Sequence, residues 1–132
     1  MHSGSCLCGT VRYEIRGDLG AAFFCHCSLC RKASGSAFAA NVVVEGEDFA
    51  IVAGDEAIGR HRSSATLVRE FCTRCGSPLV SRRDGITQVR VRMGTLDTPH
   101  AHGPGAHIFV ASKADWFEIH DTLPQHTDRP AP

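Results

Sequence analysis

The chain predicts a mainly β fold with one short helix. Two observations carry that prediction: short apolar runs, several of them repeating at a period of two, and frequent glycine punctuation between them, with 13 glycines in 132 residues. A third concerns the single helix, since one stretch alone carries a helix start and stop signal.

Val11, Tyr13 and Ile15 alternate with Thr10, Arg12, Glu14 and Arg16, the pattern of a half-buried strand. Ala37 to Val44 is apolar and valine-rich, bounded by Gly35 and by Glu45-Gly46. Phe49 to Val52 is a further short run closed by Gly54-Asp55, and Thr66 to Phe71 leads into a cysteine pair. Leu79 and Val80 precede Asp84-Gly85, a hairpin dipeptide. Beyond it, Val89, Val91 and Met93 alternate with Gln88, Arg90 and Arg92, predicting a strand with one wet face. His107 to Ala111 is the last strand expected. The helix is predicted over Leu29 to Ala33, capped by Ser28 and ended by Ser34-Gly35, with Cys30 in its first turn. Trp116 and Phe117 are expected to pack in or at the edge of the core.

The length suits one domain, read as residues 1–123, followed by a loose tail at 124–132 with three prolines in nine residues. Basic and acidic residues balance at 14 each without a long block of either sign. Nothing in that balance argues for binding nucleic acid or a membrane surface. Ala21 to Phe24 is too short to span a bilayer, and Met1-His2-Ser3-Gly4 carries no apolar leader core, so the cytoplasm is the expected location.

Seven cysteines fall into three clusters: Cys6 and Cys8; Cys25, Cys27 and Cys30; Cys72 and Cys75. An odd count cannot pair completely, and a reducing compartment favours metal ligation over disulfides. Cys8 and Cys75 are each followed by glycine, Gly9 and Gly76, which permits a positive φ and turns backbone N–H groups toward sulfur. Cys6, Cys8, Cys72 and Cys75 therefore read as one closed tetrahedral zinc site, with Zn–S near ~2.3 Å. The alternative for Cys72 and Cys75, a redox dithiol, expects a helix after the motif, where Gly76-Ser77-Pro78 suits a turn.

Cys25, Cys27 and Cys30 are one ligand short of a closed site. A histidine could complete a structural zinc, with His26, His100, His102 and His107 as the candidates, or the fourth position stays open for substrate. Three thiolates make zinc a soft, weak Lewis acid, better matched to an incoming thiol than to activating water. The sulfur so bound would attack a small carbonyl, with Arg31, Lys32 and the helix N-terminus offsetting negative charge. Arg90 and Arg92 have two readings: a solvated strand face, or carboxylate binding beside the open site.

The segments Gly4-Ser5-Cys6-Leu7-Cys8-Gly9, Cys25-His26-Cys27-Ser28-Leu29-Cys30-Arg31-Lys32, Phe71-Cys72-Thr73-Arg74-Cys75-Gly76 and His107 to Trp116 give the chain its strongest likeness. In them it resembles the glutathione-dependent formaldehyde-activating enzyme family, also called the centromere-protein-V family, and it is compact beside that family's longer named enzyme. The resemblance implies an Mss4-like zinc-knuckle fold of antiparallel sheets. It implies a structural zinc on Cys6, Cys8, Cys72 and Cys75 and a labile zinc on Cys25, Cys27 and Cys30. It also implies a carbon–sulfur lyase chemistry joining formaldehyde to glutathione as S-(hydroxymethyl)glutathione. The expected function is thus a zinc-dependent enzyme of a small thiol, such as glutathione, and a small aldehyde, with Cys25, Cys27 and Cys30 as its catalytic site. Two alternatives stand beside it: a non-catalytic thiol or zinc carrier or buffer, and an interaction module.

Overall fold

A computed structural model describes residues 1–129. In chain order the strands are β1 (His2–Ser5), β2 (Arg12–Ile15), β3 (Ala22–Cys25), β4 (Ala39–Glu45), β5 (Phe49–Ala53), β6 (Ile58–Arg62), β7 (Leu67–Cys72), β8 (Pro78–Arg83), β9 (Gln88–Arg92) and β10 (His107–Ile108), with the helix α1 (Ser28–Ser34) between β3 and β4. They form a three-stranded sheet, β1-β2-β5, and a seven-stranded sheet, β10-β3-β4-β9-β8-β7-β6. Every pair of strands is antiparallel except β10 with β3, which is parallel.

The period-two reading of β2 holds: Val11, Tyr13 and Ile15 are fully buried, and they join Val42, Val44, Val80, Val89 and Val91 in the core. Burial pushes the Tyr13 phenol up to about 12, and its oxygen lies 2.7 Å from Thr95 Oγ1. Successive side chains of a strand point to opposite faces. The register pairs Val42 with Val91 and Val44 with Val89, while Asn41 faces Arg92 and Ser81 faces both Arg69 and Arg90. One face of the seven-stranded sheet is therefore core valine, and the other carries a row of polar and cationic side chains. The sequence expectation of a wet face on β9 holds only in part: Gln88 is exposed and Arg90 half-buried, but Arg92 is only 7% exposed, held on Asn41 and Ser81.

The hairpin between β8 and β9 turns at Asp84-Gly85, with Gly85 at φ 75°. The strand expected over His107 to Ala111 stops at Ile108, because Phe109 adopts φ 56°, ψ 39° and bends the chain away. A non-glycine residue in this left-handed region is uncommon and ends the extended run.

The segment read from sequence as a loose tail runs, in its described part, along β10. His107 N–H donates to Pro124 O at 2.9 Å, His126 N–H to His107 O at 2.9 Å, and Val110 N–H to His126 O at 3.0 Å. The physical reason is that β10 is a sheet edge whose unpaired backbone groups need partners. Residues 130–132 of that tail lie outside the described residues. Trp116 departs from its expected place: it is 68% exposed, while Phe117 packs edge-on against Phe38 at 5.6 Å.

Candidate metal centre and its cavity

The Sγ atoms of Cys6, Cys8, Cys72 and Cys75 all lie within 4.8 Å of one another. Cys6 and Cys8 sulfurs are 3.6 Å apart, and those of Cys8 and Cys72 3.9 Å. Four sulfurs around a tetrahedral zinc are spaced by about 3.8 Å, so this donor set fits the ion. Gly9 and Gly76 adopt φ 78° and 81°, the left-handed turn that the two Cys-Gly pairs predicted. The N–H groups that reach sulfur come from the flanking residues: Val11 donates to Cys6 Sγ at 3.2 Å and Arg74 to Cys72 Sγ at 3.4 Å. The glycine N–H groups instead close the turns on the Cys6 and Cys72 carbonyls. The Cys75 thiol is held down at about 5, chiefly by Ser77 through its hydroxyl and backbone.

Cys25 ends β3, and Cys27 and Cys30 flank the start of α1, which brings the three sulfurs within 4.8 Å of one another. The helix start differs from the sequence reading. Cys27, not Ser28, is the N-cap, and its sulfur accepts the Cys30 N–H at 3.3 Å. A thiolate does there what a serine or aspartate oxygen does elsewhere. The C-cap is Gly35 at φ 62°, donating to the Arg31 carbonyl. Hydrogen bonding pulls Cys25 and Cys27 apart in acidity: the Cys25 thiol is pushed far up by Cys27 and then Cys30, while contact with Cys25 and then Cys30 draws Cys27 down to about 2. Three sulfurs this close cannot hold three independent protons, and a cation among them would relieve the competition.

Among the described residues no histidine joins either cluster. His26 sits between two of the cysteines, but its imidazole turns away to His107, with Nε2 2.8 Å from His107 Nδ1. Burial, and then the neighbouring His107, holds His26 down at about 4.

The triplet opens into a cavity of about 480 Å³ whose wall includes five arginines, Arg69, Arg83, Arg90, Arg92 and Arg129, and one carboxylate, Asp128. Arg31 and Lys32 are not in that wall, so the cationic role expected of them from the sequence falls to residues of β7, β8, β9 and the C-terminal segment. Arg69 is 9% exposed; its Nε donates to Ser63 Oγ at 2.9 Å and an Nη points to Cys30 Sγ at 3.8 Å. Arg92 donates to Asn41 Oδ1 at 2.6 Å and to Ser81 Oγ at 3.3 Å. Neither has a carboxylate partner among the described residues; the buried Glu70 serves Arg60 and Arg82 instead, at 2.9 and 3.2 Å. A buried cation needs a counter-charge, and the nearest candidates are the sulfurs. Burial lowers Arg92 to about 10, with the Cys30 thiolate opposing that shift. Arg90 is lowered by burial and then by the like charges of Arg129 and Arg83. Sequence reading singled out Arg90 and Arg92 by their alternation with valine. It missed Arg69, Arg83 and Arg129, and the available signal for Arg69 was its place three residues before Cys72, on the strand that joins the two cysteine sites.

Comparison with known proteins agrees with this geometry. The sequence profile described as "Glutathione-dependent formaldehyde-activating enzyme" matches residues 1–112. A Halomonas elongata protein described as "Putative glutathione-dependent formaldehyde-activating enzyme" is 31% identical over 125 residues, covering 88% of this chain and 79% of that one. A crystal structure of a Rhodobacter sphaeroides protein superposes with a TM-score of 0.63 at 25% identity, over 75% of this chain and 91% of that one. With two cysteine sites carried on a mainly β fold of this shape, and a profile match running through both, the chain belongs to the glutathione-dependent formaldehyde-activating enzyme family.

Proposed function

We propose that the chain is a zinc-dependent carbon–sulfur lyase, making and breaking the bond between formaldehyde and the thiol of glutathione. The observation that carries this reading is the convergence of Cys25, Cys27 and Cys30 on a cavity walled by five guanidiniums and one carboxylate. A volume of about 480 Å³ is in the range of small-molecule sites. Glutathione presents two carboxylates, one ammonium and one thiol. Guanidiniums bind carboxylates as planar forks, and Asp128 is the natural partner for the ammonium.

In this reading Cys6, Cys8, Cys72 and Cys75 hold a structural zinc, and Cys25, Cys27 and Cys30 hold a second one. When bound there, zinc would supply a soft acceptor for a fourth sulfur and would lower the pKa of that thiol. The chain's own residues do the rest. Arg69 and Arg92 balance the negative charge of the cysteine sulfurs from within the sheet, and Arg83, Arg90 and Arg129 orient the peptide's carboxylates. The thiol sulfur donates its electron pair to the formaldehyde carbon, the C=O pair moves to oxygen, and that oxygen takes a proton from water. The thiol's own proton leaves to solvent. The reverse breaks the same C–S bond.

Two-dimensional exchange NMR on mixtures of glutathione and formaldehyde tests the proposal. The zinc-loaded protein is expected to raise the exchange rate of S-(hydroxymethyl)glutathione in proportion to protein concentration, and to do much less for 2-mercaptoethanol, which has no carboxylate. Saturable glutathione binding with no gain in exchange would make the chain a thiol carrier instead.

A further inference from the structure

His26 lies between two of the three sulfur ligands and is fully buried. Its backbone N–H donates to Ile108 O at 3.0 Å, and its ring Nε2 is 2.8 Å from His107 Nδ1. His107 is buried as well, and its Nε2 lies 2.9 and 3.1 Å from the two carboxylate oxygens of Asp121. Asp121 is itself fixed, accepting the Leu123 N–H at 3.0 Å, and its side chain is 43% exposed. The rings are held on their faces and edges by Phe24, stacked on His107 at 5.0 Å, and by Phe38, edge-on to His26 at 5.4 Å.

The direction of the hydrogen bonds follows from one end. A carboxylate only accepts, so His107 carries its proton on Nε2. With both rings neutral, His107 Nδ1 is then a lone pair, and His26 donates to it from Nε2. His26 Nδ1 is the lone pair left over, and it has no partner among the described residues. Each proton along the chain is thus dictated by Asp121, at the protein surface. Buried polar chains are costly unless every member is satisfied, and an apolar side chain at position 26 would pack among the phenylalanines without them. What the chain provides is orientation: the ring of His26 fixes the backbone of the one residue that separates Cys25 from Cys27. Such outer partners set how tightly a metal is held. Asp121 also lies beyond residue 112, the last residue that the family profile matches.

We infer that Asp121 is a positioning residue of the three-cysteine site, acting through His107 on His26 and so on the spacing of the Cys25 and Cys27 sulfurs. The inference rests on the zinc reading of the triplet. Its test is the rate at which each zinc passes to a colorimetric chelator, compared between wild type and Asp121→Ala. About 10-fold faster release of the labile zinc is expected, with the four-cysteine zinc unmoved and with slow release restored in Asp121→Glu. A merely structural role would move both zincs together. In the wild type, long-range proton–nitrogen correlation NMR is expected to find His26 and His107 both protonated on Nε2. A wild type that takes up two zincs, with a labile one released equally fast in Asp121→Ala, overturns this inference and leaves the zinc reading standing. A wild type that takes up only one zinc contradicts that reading and this inference with it. Should Asp121→Ala fail to retain the four-cysteine zinc, the tautomers decide: protonation of His107 on Nδ1 overturns the inference.

Discussion

Arg90 and Arg92 occupy alternate positions of one strand and face the same cavity, yet their surroundings separate their roles. The Arg92 guanidinium is committed to Asn41 and Ser81, both buried. Arg92→Ala leaves two buried polar groups without a partner and is expected to cost about 1–3 kcal/mol in a denaturant titration. Arg90 has no such commitment among the described residues, lies over the Phe23 ring, and is crowded by Arg83 and Arg129. Arg90→Ala is expected to leave stability within about 0.5 kcal/mol while raising the KM for glutathione about 10-fold, the equivalent of one charge-assisted hydrogen bond. The KM for 2-mercaptoethanol should not move. Tyr13 sets a different kind of expectation, in alkali. Its phenol keeps its proton in the folded state up to about 12, and loses it near 10 when unfolded. The folded state therefore binds more protons between those values, and stability from this group, fully present below pH 10, is lost as pH rises toward 12. The difference in unfolding free energy between wild type and Tyr13→Phe, measured at steps from pH 9 to 12, should shrink across that window. A constant difference would remove the phenol from the account.

At the scale of elements, the edges of the two sheets were the least legible parts. β1, His-Ser-Gly-Ser, has no apolar alternation; it is a strand because Gly4 pairs with Tyr13 on β2 and Ser5 with Arg12. β6 likewise is set by its register with β7 rather than by its own composition. Gly4 shows how tight the first of these pairings is. A Cβ there would collide with the Tyr13 ring and the Thr95 carbonyl, so Gly4→Ala is expected to lower the melting temperature by several degrees, and an unchanged melting curve would refute the packing of β1. The C-terminal segment makes a parallel case. Removing residues 124–132 strips β10 of the backbone partners on its outer edge, leaving its pairing with β3, and takes Asp128 and Arg129 out of the cavity wall. The shortened chain should keep the four-cysteine zinc and lose glutathione affinity, as read by calorimetry.

For the whole molecule, the cysteine grouping was visible in the sequence because ligand spacing is local: Cys6 with Cys8, Cys72 with Cys75, and the triplet within six residues. The cavity was not visible, because its arginines come from positions 69, 83, 90, 92 and 129 and meet only through sheet register and a C-terminal segment laid along an edge strand. No local pattern records that meeting. β7 ties the two cysteine sites together, since it carries Arg69 to Cys30 and ends in Cys72. In the proposed reading a staple is separate from a working site: one zinc would hold strands far apart in sequence, and the other, with an open position, would hold the substrate sulfur. The most direct test is a chelator titration of the two-zinc protein, following zinc released, far-ultraviolet circular dichroism and the glutathione–formaldehyde exchange rate on the same samples. Exchange is expected to fall to the uncatalysed rate with the first equivalent of zinc while the fold is intact, and the fold to be lost only with the second. Exchange that survives loss of the first zinc, or two zincs that leave together with the fold, would contradict it.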